Sequence, residues 1–170
     1  PETTHEELRV QVLRLCREGK KLSALDLSGA DLSGLDLSGC DCSQANLAGA
    51  NLEDCRLRDA VFYKADLRQT QLSGADLSGA SLHGAEMSLA YGENVTAVGA
   101  FFIQASCNAL HLVKADLADA DFTRSRLDDA IFEECNLANA LFISTRGRHA
   151  SMLQCMLTDC DCSKADFEGL

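Results

Sequence analysis

The chain has no tryptophan, 5% aromatic residues, and a single proline at position 1. Packing must therefore rest chiefly on small and aliphatic side chains. No apolar run approaches the roughly 20 residues of a membrane span, and no signal peptide is evident. Positive charge is also scarce. Fifteen Lys and Arg face 26 Asp and Glu, a formal net charge of -11, which argues against nonspecific duplex nucleic acid as a ligand. What remains is a 170-residue chain, long enough for one domain with a real core. Nine cysteines without a secretory signal imply reduced thiols in a reducing compartment, hence a cytoplasmic location, with a secreted effector as the other setting. No initiator Met is present and the sequence stops at "ADFEGL", so a piece of a longer protein is expected.

Repetition organises the rest. "LDLSGADLSGLDLSGCDCSQANLAGANLEDC" recurs every five residues. One phase holds Leu22, Leu27, Leu32, Leu37, Cys42 and Leu47, continues through Phe62 and Met87, and ends at Phe167 without slipping. Two residues before each sits a small residue, usually Ala, from Ala30 to Ala165. A period of five matches neither one long helix nor an ordinary strand. Apolar residues at a centre position and two before it place two side chains on one side of a short extended segment, and Ser-Gly, Asp or Asn then turns the chain. Repetition produces a polygonal coil with its large residues inside, and coils stacked about 4.8 Å apart form a solenoid.

The quoted "GADLSG", "QANLAG" and "KADLRQ" resemble the pentapeptide-repeat consensus A-(D/N)-L-x-x over about residues 20–169. This resemblance implies a right-handed quadrilateral parallel β-helix with four repeats per coil. The residues support four sides independently: Phe62, Phe102, Phe122 and Phe142 differ by multiples of twenty and form one column, with Leu82 between them. About seven and a half coils make a rod near 36 Å long. "SLAYGENVTAVGAFF" is weaker, because Gly92 and Ala97 replace large inward residues. A ten-residue excursion there would break the Phe column, so a continuous coil is expected. "ISTRGRHAS", with Gly147 inward, is a second weak stretch where a bulged loop is open.

Residues 1–19 read differently. Thr3 or Thr4 suits an N-cap with Glu6 or Glu7 three residues on, Leu8, Val12, Leu15 and Cys16 share a helical face, and Gly19 suits the position after the C-cap. The expected organisation is a capping helix over 1–19 and a β-helix over 20–170. The C-terminal end shows no comparable cap, which allows an end-to-end homodimer or continuation into further residues.

Chemistry is sparse. "CDCS" at Cys40–Ser43 and Cys160–Ser163 has Cys-x-Cys spacing, yet both cysteines of each pair fall on inward positions, as do Cys55, Cys107, Cys135 and Cys155. Packing in the reduced state, not metal binding, is the reading. His5, His83, His111 and His149 have no ligand or triad spacing, and no phosphate loop or nucleophile–base pair is present. No enzyme, cofactor or metal is expected. Asp26, Asp31, Asp36, Asn46 and their equivalents precede centre residues, where they suit hydrogen bonds to the turn backbone, so the repeat accounts for much of the acidity. Arg124, Arg126, Arg146 and Arg148 read as a solvated basic patch.

One outward pattern is unexplained by the repeat. Side chains flanking each centre residue point outward. In the Phe column they read Val61 and Tyr63, Ser81 and His83, Phe101 and Ile103, Asp121 and Thr123, then Leu141 and Ile143. Apolar rungs thus alternate with polar ones along a stripe about 19 Å long. An apolar patch of a few hundred Å² suggests binding. Cross-strand pairing of apolar residues, or cover by further protein, would also explain it. Val113, Ile131 and Leu153 on another face are scattered and need no explanation. The function expected is a non-catalytic protein–protein interaction scaffold with Val61, Tyr63, Phe101, Ile103, Leu141 and Ile143 as partner-binding residues, within a larger bacterial protein. Family resemblance adds two alternatives: a DNA-mimicking binder of DNA gyrase or topoisomerase IV, and a secretion effector or type VI adaptor domain.

Overall fold

The structure is a computed structural model that describes residues 4–169. Thr3 therefore lies outside the described residues, and Thr4 is the N-cap of helix α1 (His5–Arg17). Its hydroxyl accepts from Glu7 N at 3.2 Å while its own N–H donates to the Glu7 carboxylate at 2.9 Å, a reciprocal capping box. At the other end Gly19 adopts φ +63°, Gly19 N donates to Cys16 O, and Lys20 N donates to Leu15 O. This is a Schellman closure, which a residue without Cβ accommodates best. Val12 is fully buried, Leu8, Leu13 and Leu15 pack on the core, and the Arg9 guanidinium donates to Asp31 O and Ser33 O. The helix thereby packs against the first coil.

From Asp26 onward every backbone bridge joins residues twenty apart and parallel: Asp26 with Asn46, Asn46 with Asp66, Asp66 with Glu86. Four pentapeptides therefore complete one coil. Among described residues only one side is extended enough to form strands, β1 (Tyr91–Glu93), β2 (His111–Val113), β3 (Ile131–Glu133) and β4 (Ser151–Leu153), paired in that order and in register. Elsewhere each repeat offers a single bridge before the chain turns. Outside the β1–β4 side, the N–H three residues beyond each centre residue returns to its carbonyl, as Ala30 N to Leu27 O at 3.1 Å. The residue two beyond the centre, the corner, has positive φ at every repeat from Gly29 to Gly169. Positive φ at that position alone is a type II turn. Twenty of these corners are not glycine and hold φ between 52° and 63°. Left-handed backbone is unfavourable for such residues, and in the coils before the last the corner N–H also donates to the next coil, as Gln44 N to Tyr63 O at 2.8 Å, which holds it in place.

Inside, the Phe column forms as the spacing predicts. Phe102 and Phe122 stack at 4.5 Å, and Phe122 and Phe142 at 5.2 Å, with nearly parallel planes. The offset-stacked rings are a favourable aromatic geometry. Both weak stretches are regular coil. Around Gly92 the space of a missing side chain is taken by Val95, which occupies the small position usually held by Ala and is buried. Around Gly147 the Phe167 ring fills the gap, and Ala150 N still closes its turn on Gly147 O. No bulged loop interrupts 143–150. The shortfall at a centre position is met by a larger neighbour in the same or the next coil.

The acidic positions do as expected. Asp26 Oδ1 accepts from Ser28 N and Ser28 Oγ, Asp31 repeats this with Ser33, and Asn46 accepts from Ala48 N. Ser hydroxyl and backbone donors hold both Asp carboxyls below the usual range. Among described residues the Ser125 hydroxyl is the one buried side-chain polar atom without a hydrogen-bond partner.

Candidate interaction face

The bridges Val61–Ser81, Ser81–Phe101, Phe101–Asp121 and Asp121–Leu141 place the stripe residues on one side of the rod in consecutive coils. Val61, Tyr63, Phe101, Ile103, Leu141 and Ile143 all lie there. Their exposure is unequal. Tyr63 is 38% and Phe101 46% exposed, whereas Val61, Ile103, Leu141 and Ile143 are half-buried. The cause is the short rise per coil: outward side chains about 4.8 Å apart shield one another. The exposed apolar surface is therefore concentrated on the two rings.

Polar groups on this side are partly engaged. The Tyr63 ring lies 5.7 Å from that of His83, and Lys64 Nζ sits 5.2 Å from the Tyr63 ring centre, a cation–π contact. Thr123 N donates to Asp121 Oδ1 at 2.8 Å. Sequence reasoning passed over the corners that border this side. One edge carries Asp59, Asp119 and Asp159, and the other Lys64, Arg124 and Lys164, all exposed. The signal was the fifth residue of each repeat, sorted by column at intervals of twenty.

The other candidates are accounted for by packing or pairing. Burial pushes the Cys42 and Cys107 thiols up to about 12, and Cys55 and Cys135 up to about 11, which removes thiolate reactivity at neutral pH. Cys55 Sγ donates to Leu32 O at 3.0 Å and Cys160 Sγ to Leu137 O at 2.9 Å. Cys135 and Cys155 are adjacent on successive coils and unbonded to each other. One thiol pair departs from expectation. Cys16 of α1 and Cys40 of the first coil form a disulfide, with Cα atoms 5.1 Å apart. Cys40 is thus not a reduced filler, whereas the other seven cysteines are free. Among described residues no three His, Cys, Asp or Glu side chains converge as a metal site. His111 contacts Glu133 at 3.2 Å and meets the Tyr91 ring edge-on.

The basic patch is only partly free. Arg146 pairs with Asp128 and Arg148 with Asp166, both at 3.0 Å, whereas Arg124 and Arg126 make no ion pair among described residues. At the far end Leu153 and Met156 are exposed, 60% and 56%, because nothing described covers the last coil. No described helix is long and apolar enough to cross a membrane.

The family profile "Pentapeptide repeats" matches in eight copies over residues 26–62, 55–91, 100–139 and 135–169. The chain belongs to the pentapeptide-repeat family. Its fold is similar to two trypsin-treated forms of QnrB1, a plasmid-mediated fluoroquinolone resistance protein. One is 19% identical with a TM-score of 0.56, covering 79% of this chain and 71% of that one. The second is 20% identical with a TM-score of 0.56, covering 89% and 87%. HetL, a pentapeptide-repeat protein involved in heterocyst differentiation regulation in the cyanobacterium Nostoc, is 23% identical with a TM-score of 0.42, covering 87% and 81%. No curated protein matches by sequence.

Proposed function

We propose that this pentapeptide-repeat chain is a non-catalytic protein-interaction scaffold and that the Val61–Ile143 side is its binding face. The observation that carries the reading is three apolar rungs, two coils apart, on a side whose edges are charged. The repeat requires inward residues and turn residues; it places no demand on 61, 63, 101, 103, 141 and 143. The test is a quantitative pull-down from lysate of the source organism, comparing wild type with a triple variant, Tyr63→Ser, Phe101→Ser and Ile143→Ser, after circular dichroism shows that both fold. A partner retained by wild type and lost by the variant supports the face. A partner bound equally by both refutes it.

The proposal includes a right-handed winding, as the family resemblance implies, and a capping role for residues 1–19 over the β-helix of 20–170. Support for the cap comes from buried Val12 and from Arg9, which bonds two carbonyls at positions that accept from the preceding coil elsewhere in the rod. The exposed apolar last coil supports end-to-end pairing of two copies, read as a concentration-dependent mass by sedimentation.

A second reading, a DNA-mimicking binder of gyrase or topoisomerase IV in a bacterial host, is favoured by the net charge of -11 on a narrow rod. The structure tempers it, since many carboxylates are already engaged with their own turn amides. A gyrase supercoiling assay with and without quinolone decides: unchanged supercoiling and drug sensitivity at micromolar protein removes this reading. Service as a secretion effector or type VI adaptor is a third setting for the same scaffold.

A further inference from the structure

We propose that the occupant of the Val61–Ile143 face is an amphipathic α-helix lying along the rod, with a large apolar residue at every seventh position and flanks of opposite charge. The inference rests on the interaction-face reading above and adds the shape and chemistry of the partner.

Spacing is the first argument. Apolar rungs at 61/63, 101/103 and 141/143 are two coils apart, about 9.6 Å along the rod. An extended chain presents same-side residues about 6.8 Å apart, or about 13.6 Å for alternate ones, and neither matches. Seven residues of α-helix rise about 10.5 Å. Tilting that helix by about 24° projects its repeat onto the 9.6 Å interval.

The rungs between give the second. Ser81 with His83 and Asp121 with Thr123 interrupt the apolar series. On a helix, residues three or four beyond each anchor advance about 4.5–6 Å and fall over these rungs. The partner should carry small or hydrogen-bonding residues there, with a donor facing Asp121. A helix apolar at both three- and four-residue steps would bury these groups unpaired, which is costly.

Charge gives the third. Along one edge the corners read Asp59, Gly79, Gly99, Asp119, Asn139 and Asp159; along the other, Lys64, Gly84, Gln104, Arg124, Ser144 and Lys164. Each edge holds one sign only, and the two signs share the same coils. None of these six charged groups forms an ion pair among described residues. A helix between the edges is selected by cations on its Asp-facing flank and anions on its Lys- and Arg-facing flank, an arrangement that steers association and rejects the reversed pattern.

The experiment is site-specific photo-crosslinking. Benzoylphenylalanine is placed at positions 63, 103 and 143 in turn, with position 113 on another face as control. Each folded protein is irradiated in source-organism lysate, and attachment points in the captured protein are mapped by mass spectrometry. Attachments from 63, 103 and 143 that step by seven residues along one segment are expected. Steps of about three residues mark an extended chain, and unordered attachments mark a folded surface; either overturns the helix and leaves the face reading standing. No capture above the position-113 control overturns both. A charge-reversed protein, with Asp59→Lys, Asp119→Lys and Asp159→Lys, should bind the captured segment about tenfold more weakly at low salt. Unchanged affinity refutes the flank assignment.

Discussion

Exchanging bulk between positions 92 and 95 is predicted to be non-additive. In Gly92→Ala the new methyl meets Val95 Cγ2, and lies 3.2 Å from Leu72 Cβ and 3.4 Å from Leu112 Cδ2. Overpacking of this kind costs about 1–3 kcal/mol. Gly92 has no left-handed φ, so alanine is conformationally welcome and recovers about 0.4–1 kcal/mol through the unfolded chain. The single variant should therefore be destabilised by about 1–2 kcal/mol. Val95→Ala removes two buried methyl groups, about 0.8 kcal/mol each before the cavity is counted, giving about 1.5–2.5 kcal/mol. In the double variant the clash has no partner and the alanine at 92 refills part of the space. Its loss should fall about 1–3 kcal/mol short of the summed single losses. Urea unfolding of the four proteins, fitted with a common slope, measures the cycle. Additivity within about 0.5 kcal/mol would refute the account of how this coil tolerates an inward glycine.

Thiol titration of the unfolded, unreduced protein should find seven thiols, rising to nine after reduction; nine at the outset would remove the Cys16–Cys40 bond. Cys16→Ser with Cys40→Ser should lower stability by about 3 kcal/mol in a chain-entropy account of a 24-residue separation, read from the urea midpoint. Phe122→Ala should cost about 3–5 kcal/mol, and Phe122→Leu about 1–2 kcal/mol, because Leu82 already occupies an equivalent site in that column. Acid should destabilise the fold. Asp26, Asp31 and Asp161 have lowered folded-state pKa values, so their contribution is complete above the unfolded carboxylate range and is lost as pH falls through the folded values. Urea midpoints should therefore drop below about pH 4, and Asp31→Asn, which keeps the acceptor as Asn46 does, should flatten that drop.

Most of the architecture was legible because a period of five leaves few alternatives. Leu22 through Phe142 named the interior, whereas the last coil leaves centre residues Leu157 and Cys162 exposed, and Phe62, Phe102, Phe122 and Phe142 set twenty residues per coil. Thr4, Glu7 and Gly19 likewise announced the two ends of α1. Three things were not legible. The Cys16–Cys40 bond depends on how α1 settles over the first coil, a tertiary angle that spacing does not encode. Compensation of Gly147 by Phe167 crosses a full coil, so it shows only when the sequence is folded into columns. The uneven exposure along the proposed binding face follows from side chains shielding one another at close rise, which a binary inward–outward assignment cannot express. The corner charges were readable in principle, yet each corner residue looks like ordinary turn chemistry until it is compared with its neighbours twenty positions away.

The hydrogen bonds between coils run along the rod, from Leu27 N to Asn46 O and from Asn51 N back to Ala30 O. Tension applied between the two ends therefore loads only the bonds of the outermost coil at any moment, not all coils in shear. Stretching should peel the rod as a series of small, equal force peaks, each releasing about 60 Å of chain as twenty residues pass from one coil to full extension. The disulfide tethers α1 to residue 40, so peeling that begins at the N-terminal end should skip the contour length enclosed between Cys16 and Cys40. As a mechanical element the molecule behaves like a spool that pays out thread in fixed lengths, with its first turn stitched down.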